Sequence, residues 1–325
     1  MPGPTIGLLG DVMLGRRVAD RLAPGPPADV WSNRMRAVCS ACDAIVLNLE
    51  CCISTRGSPT DLIPGKPFFF RAPPAGAEAL RALGTSVVAS VANNHALDFG
   101  QQALLDTVTH LGNAAVAAAG AGADVDAARR GPIVSAGGTR LGVLALSDHP
   151  REYAAGSERP GIAYAELARA VPDWAFAELA RLRLEADVVV AFLHWGANMT
   201  DSPAGWQRKR AGELLDAGAD AVAGHSAHIF HGIAGGPVLY DLGDALDDYA
   251  VDLDLRNDLG VLALWRPFGD RELELVGLTL EYCRTDLAQG DDADWIARRL
   301  SRACASLGTR VERLDEARFA VTAKA

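Results

Sequence analysis

The sequence predicts a layered α/β fold, with two packed sheets and helices outside them. Strand and helix patterns alternate through most of the 325 residues, which is the order of parallel sheets with helical crossovers. The strand segments are continuous runs of Val, Ile, Leu and Ala, as strands buried on both faces require. The order then becomes strand-rich, which favours one large domain over residues 1–325 rather than two small ones.

Ile6–Leu9 reads as the first strand, and Arg16–Leu22 as the first helix. A helix over Trp31–Cys42 leads into the strand Ala44–Leu47. Ser54–Pro74 is a long loop rich in Pro and Gly that carries Lys66-Pro67-Phe68-Phe69-Phe70-Arg71; loops of this length are often functional. Ala75–Leu83 is helical, Val87–Ala92 a strand, Leu104–Leu111 a helix and Ala114–Ala119 a strand. Pro132–Ala136 and Leu141–Ser147 are strands joined at Gly137-Gly138. A loop with His149-Pro150 follows. Then come helix Asp173–Glu185, strand Val188–Leu193, helix Gly205–Ala217 and strand Ala219–Ala223. Val238–Leu242, Leu259–Trp265 and Leu273–Glu281 are strands and Asp291–Leu307 a helix. Thr309–Leu314 and Arg318–Val321 are short closing strands.

The formal charge is −10. With no basic stripe and no aromatic-basic interleaving, nucleic acid is not an expected partner. No segment has the pattern of a signal peptide, and none reaches the roughly 20 apolar residues of a membrane span. The expected location is cytoplasmic, without a membrane anchor, where the six cysteines stay reduced. Cys39-Ser40-Ala41-Cys42 has redox or zinc spacing, but no second such pair accompanies it, so buried structural thiols are expected.

Five clusters of polar ligand side chains each follow an apolar run. They are Gly10-Asp11, Asn48-Leu49-Glu50, Asn93-Asn94-His95, His194-Trp195-Gly196 and Gly224-His225-Ser226-Ala227-His228. Sites in α/β sheets form at the carboxyl ends of strands, so the clusters should meet in one cleft. Taken singly, Asp11 could cap a helix and Asn93-Asn94 could make a turn. Together, Asp, Glu, Asn and His suit divalent ions such as Mn, Zn or Fe.

These clusters resemble the CapA-like proteins, the poly-γ-glutamate (capsule) synthesis family with a calcineurin-like metallophosphatase fold. The likeness runs through Gly10-Asp11-Val12-Met13-Leu14-Gly15-Arg16, Asn48-Leu49-Glu50 and Ala92-Asn93-Asn94-His95-Ala96-Leu97-Asp98-Phe99-Gly100. It continues in His194-Trp195-Gly196, Gly224–His228, Leu239-Tyr240-Asp241-Leu242-Gly243-Asp244 and Leu307–Val311, and so covers nearly the whole chain. It implies a four-layer α/β/β/α sandwich and a two-ion centre. The chain departs from the metallophosphatase pattern at Met13, which stands in the place of a His. It departs also at Glu50, where Asp is usual, and in the His225-x-x-His228 spacing.

The resemblance and the strand-end placement give one set of expected roles. Asp11, Glu50, Asn94, His194, His225 and His228 are the expected metal ligands, with Glu50 able to bridge two ions. Asp11, His95, Asp98 and His231 are the expected catalytic residues, Asp98 orienting His95. Arg16, Lys66 and Arg71 are expected to hold an anionic substrate group. His110 reads as structural, and His149 as a residue near substrate.

The expected activity is metal-dependent hydrolysis of an amide or phosphoester bond in a peptide or polyglutamate-like substrate. Epimerisation at Cα of a peptide C-terminal residue, the reaction of lasso-peptide members of the family, would use the same ions with Asp11 and a histidine. A non-catalytic binding role in polymer synthesis is the third reading.

Overall fold

A computed structural model of the chain describes residues 3–22, 25–84, 86–235, 237–268 and 273–323. Its central strands are buried on both faces, and their side chains sort by parity. Ile6, Leu8, Ala44, Val46 and Val88 enter one apolar core, while Leu9, Ile45, Leu47, Leu49, Val87 and Ala89 enter another. This is the period of two of an extended chain, and it requires a covering layer on each face.

A second sheet covers the first face. Leu141, Val143, Ala145, Val188, Val190, Phe192, Ala221 and Ala223 complete that core. Helices Arg16–Leu22, Asn33–Ser40, Ala75–Arg81 and Gly100–Asn113 cover the other face through Val18, Met35, Leu80 and Leu104. Helices Asp173–Glu185 and Gly205–Asp216 cover the outside of the second sheet through Leu179, Leu182 and Leu214. The order is the four-layer α/β/β/α sandwich expected.

Among the described residues the first sheet has ten strands. Its parallel half runs Ile6–Val12, Ala44–Leu49, Val87–Ser90, Val116–Ala119, and its antiparallel half adds Leu259–Trp265, Leu273–Glu281, Arg318–Ala323 and Thr309–Arg313. In the second sheet Thr139–Ser147, Val188–His194 and Ala221–His225 lie parallel and adjacent, with Ser147 beside His194 and His194 beside His225. All five polar clusters therefore leave strands at carboxyl ends.

Some elements differ from expectation. The expected strand Val238–Leu242 keeps only Val238–Leu239. Beyond it the Tyr240 carbonyl accepts the Trp195 indole N–H at 2.8 Å, and the Leu242 amide donates to Gly224. Helix Val125–Arg129, capped by Asp124, is too short to show a helical period, and strand Asp244–Leu246 has three residues. No helix among the described residues is long and apolar enough to cross a membrane. The six cysteines are buried and unpaired. Burial pushes Cys42 up to about 11, so the Cys39-x-x-Cys42 spacing carries no reactive thiolate at neutral pH.

Candidate metal centre

Asp11 lies where the two sheets come together. The register between its strand and Ala44–Leu49 slips between Leu9 and Asp11, and such a bulge re-aims the side chain that follows it. The Asp11 amide donates to the Gly243 carbonyl at 3.1 Å. A Cβ on Gly10 would stand 1.9 Å from that oxygen, so the approach needs glycine.

The carboxylate of Asp11 is fully buried and held from both sheets. Asn48 Nδ2 donates to its Oδ1 at 2.7 Å, and the Ser226 amide to its Oδ2 at 3.0 Å. Asn48 is fixed in turn by Asn93, whose Nδ2 reaches Asn48 Oδ1 at 3.0 Å and the Leu49 carbonyl at 2.7 Å. His225 Nδ1 lies 3.0 Å from Asp11 Oδ1 and 3.1 Å from His194 Nδ1. One proton on that nitrogen can satisfy only one of its two neighbours. Burial alone would raise Asp11, but the facing His225 and His228 outweigh it and hold the carboxyl below its usual range.

Two groups of ligand atoms share Asp11. One is Asp11, His194 and His225; the other is Asp11, Glu50, His228 and Asp244, and within each group the atoms lie inside 4.8 Å of one another. Burial, reinforced by the charge of Asp11, pushes Glu50 well above the usual carboxylate range. Asp244 is raised by burial and by Asp247, and burial drives His194 well below its ordinary value. Glu50 Oε1, Asn94 Oδ1, His194 Nε2, His225 Nε2 and Asp244 Oδ2 are buried without a hydrogen-bond partner among the described residues. Several orphaned lone pairs around crowded carboxylates are what a cation would satisfy, so the donor set fits divalent metal.

The loop carrying His225–His228 is bent to suit. Ser226 and His228 have φ of 113° and 61°, a region costly for these residues. Asp11 binds the Ser226 amide, and Asp241 takes the Ala227 and Gly243 amides, each at 2.8 Å. Asp241 itself is pushed up to about 8 by burial and by Asp11.

A second constellation stands beside the carboxylates. His95 Nδ1 donates to Asp98 Oδ2 at 2.6 Å, and the Phe70 amide donates to the same oxygen at 2.6 Å. Lys66 Nζ meets Asp98 Oδ1 at 2.7 Å, and the Tyr153 hydroxyl donates to it at 3.3 Å. The Phe70 ring stacks on His95 at 4.1 Å. Burial lowers His95 to about 4 against the pull of Asp98, which leaves a neutral ring of fixed tautomer.

His95 and His228 line a cleft of about 370 Å³ with Arg16, Phe68, Phe70, Tyr249, Asn198 and Met199 among its other walls. Arg16 is bound by Asp248 at 2.9 Å and lies against the rings of Phe68, Phe70 and Tyr249 at 5.5–5.8 Å.

The model of the family described as "Bacterial capsule synthesis protein PGA_cap" matches residues 5–249, a span that holds every residue of this centre. The chain belongs to that family. A Mycobacterium tuberculosis protein named "Probable polyglutamine synthesis accessory protein" is 32% identical, covering 94% of this chain and 93% of its own length. The PGA biosynthesis protein CapA of Bacillus subtilis is 26% identical over 74% of this chain and 62% of its own. Among solved structures, the NAD nucleotidase of Haemophilus influenzae aligns with a TM-score of 0.40 at 12% identity, over 88% of this chain and 49% of its own.

In this PGA_cap family member the structure brings Asp11, Glu50, His194, His225 and His228 together, with Asn94 Oδ1 buried and unpartnered. Asp11, and not Glu50, is the carboxylate common to both groups. Asp244, the last residue of the Leu239–Asp244 stretch in the family likeness and not among the expected ligands, joins the second group. Asp98 lies on His95 Nδ1. His231 stands apart from both groups, its Nε2 donating to the Thr200 carbonyl at 2.9 Å. Of the three expected cations, Arg16 lines the cleft. Lys66 is buried on Asp98, and Arg71 donates to the carbonyls of Arg56 and Gly57 while lying 4.2 Å over Phe99. Tyr153 had no sequence signal at all.

Proposed function

We propose that the protein is a divalent-metal-dependent enzyme that hydrolyses an amide bond in a peptide or γ-glutamyl-type substrate. The observation that carries this is the pair of buried ligand groups sharing Asp11, one of which presents His228 to a cleft lined also by His95 and Arg16. The names of the relatives, with their polyglutamine and PGA synthesis, support an amino-acid polymer or peptide over other hydrolysable substrates. The same centre would also accept a phosphoester. The reading takes residues 1–325 as one domain, supported by Ile6–Val12 pairing directly with Leu259–Trp265.

Asp11, Glu50, Asn94, His194, His225, His228 and Asp244 would hold two ions of Mn, Zn or Fe type. Such ions supply Lewis acidity and lower the pKa of water. His95, neutral and with its Nδ1–H on Asp98, presents Nε2 as a base that can take a proton from the attacking water and then pass it to the leaving group. Lys66 and Tyr153 hold Asp98 in place. Arg16, fixed by Asp248, presents its remaining surface to an anionic group of the substrate.

The test is incubation of metal-loaded protein with γ-glutamyl peptides in ¹⁸O-labelled, deuterated water. Hydrolysis yields shorter products bearing one solvent oxygen. A one-unit mass gain without cleavage would replace hydrolysis by epimerisation. That reaction needs a free Asp11, whereas both Asp11 oxygens are engaged by Asn48, His225 and Ser226. No turnover with any metal would favour a binding role.

A further inference from the structure

Three adjacent strands of the second sheet lead to histidines. Val188–His194 and Ala221–His225 end in them, and His149 follows Thr139–Ser147 by two residues. The His149 and His194 rings are 4.9 Å apart between centroids, as close as His194 and His225 at 5.1 Å.

His149 is built in. Its Nδ1 is bonded to Asp148, whose other oxygen accepts the Gly196 amide at 3.0 Å. The Asp148 amide donates to the His194 carbonyl at 3.0 Å. The Ser147 hydroxyl donates to the His149 carbonyl at 2.5 Å. A carboxylate on one ring nitrogen fixes the tautomer and leaves the other as a lone-pair donor, the usual setting of a metal-bound imidazole. The ring it lies against, His194, is fully buried and has Nε2 without a partner.

The group of Asp11, His194 and His225 counts three His or carboxylate side chains, and an ion there, with Asn94 Oδ1 buried and unpartnered in the same centre, could take a further ligand. Met13, two residues past Asp11, does not supply it. It is 1% exposed in the core beneath the helices, and its sulfur accepts the Gly15 amide at 3.0 Å.

We propose that His149 is a further ligand of the ion held by Asp11, His194 and His225, contributed by the second sheet where the first motif brings Met13. The proposal rests on the metal reading above. His149 is a third exposed in side-chain terms, so it would give this otherwise buried group a ligand that solvent reaches.

The test uses full-length wild type, His149→Ala, His149→Gln and Asp148→Asn, each loaded with Mn²⁺ or Zn²⁺ and desalted. Metal is counted by mass spectrometry and affinity measured against a chelator. The expected result is two ions in wild type. One of them should be lost in both His149 variants and weakened about 10- to 100-fold in Asp148→Asn. Wild-type affinity in both His149 variants would overturn the proposal while leaving the metal reading intact. No ion in wild type would overturn both. Should the variants fail to fold, wild type decides. Diethyl pyrocarbonate should modify His149 in the metal-free protein and not in the loaded one, and equal modification would overturn the assignment.

Discussion

His225 Nδ1 lies 3.0 Å from Asp11 Oδ1, and the two residues come from different sheets. The contact closes the sandwich at its polar edge and puts one carboxylate in reach of two ligand groups. Removing Asp11 should therefore cost more metal than removing any other ligand. Asp11→Asn is expected to lose both ions and Glu50→Gln only one, as counted by mass spectrometry after desalting. Equal loss in the two variants would show that Asp11 is not shared.

Met13 packs in the apolar core and holds the Gly15 amide. Met13→Leu keeps volume and apolarity, so it should cost less than about 1.5 kcal/mol and leave metal content unchanged. Loss of an ion in this variant would make the sulfur a ligand.

Asp98 pairs with a buried Lys66 while orienting His95. Asp98→Asn leaves that ammonium without its counter-charge, a change that costs about 3–5 kcal/mol when a buried pair is broken from one side. Denaturant melts should show this loss, and adding Lys66→Met should recover part of it. Metal content should stay at the wild-type level, because neither side chain belongs to a ligand group. A fall in metal with unchanged stability would contradict the arrangement.

His231 is buried and bonded to the Thr200 carbonyl. Burial lowers it to about 4 from an ordinary 6.5. Between those values the unfolded chain binds a proton that the folded chain refuses. Stability from this residue is therefore complete above about 6.5 and falls as pH drops toward 4. At 1.36 kcal/mol per unit the effect is at most about 3 kcal/mol. His231→Gln should flatten this part of the stability profile measured by urea melts from pH 7 to 4. An unchanged slope would mean that His231 is not held neutral.

Much of this was legible in the sequence because buried parallel strands are written as apolar runs. Helices Arg16–Leu22 and Asp173–Glu185 and strands Leu259–Trp265 and Leu273–Glu281 have the expected bounds. The ligand clusters were legible because each follows such a run. What could not be read depends on contacts between distant segments. Nothing near Asp244 shows that its strand lies against Asp11, since that pairing spans most of the chain. Tyr153 and Lys66 meet Asp98 only through the folding of two loops. His231 has the same spacing from His228 that His228 has from His225, yet the turn at His228, with φ of 61°, takes the chain away from the centre toward Thr200. The sequence puts Arg71 in the same loop as Lys66, but it lies in the short strand Arg71–Ala72 beside Cys52–Ile53, with its guanidinium over Phe99.

The most direct measurement is the number of divalent ions retained per wild-type chain after loading and desalting, by mass spectrometry of the intact protein. The account predicts two, one in each group that shares Asp11. A chain that retains none under Mn²⁺, Zn²⁺ or Fe²⁺ would contradict it.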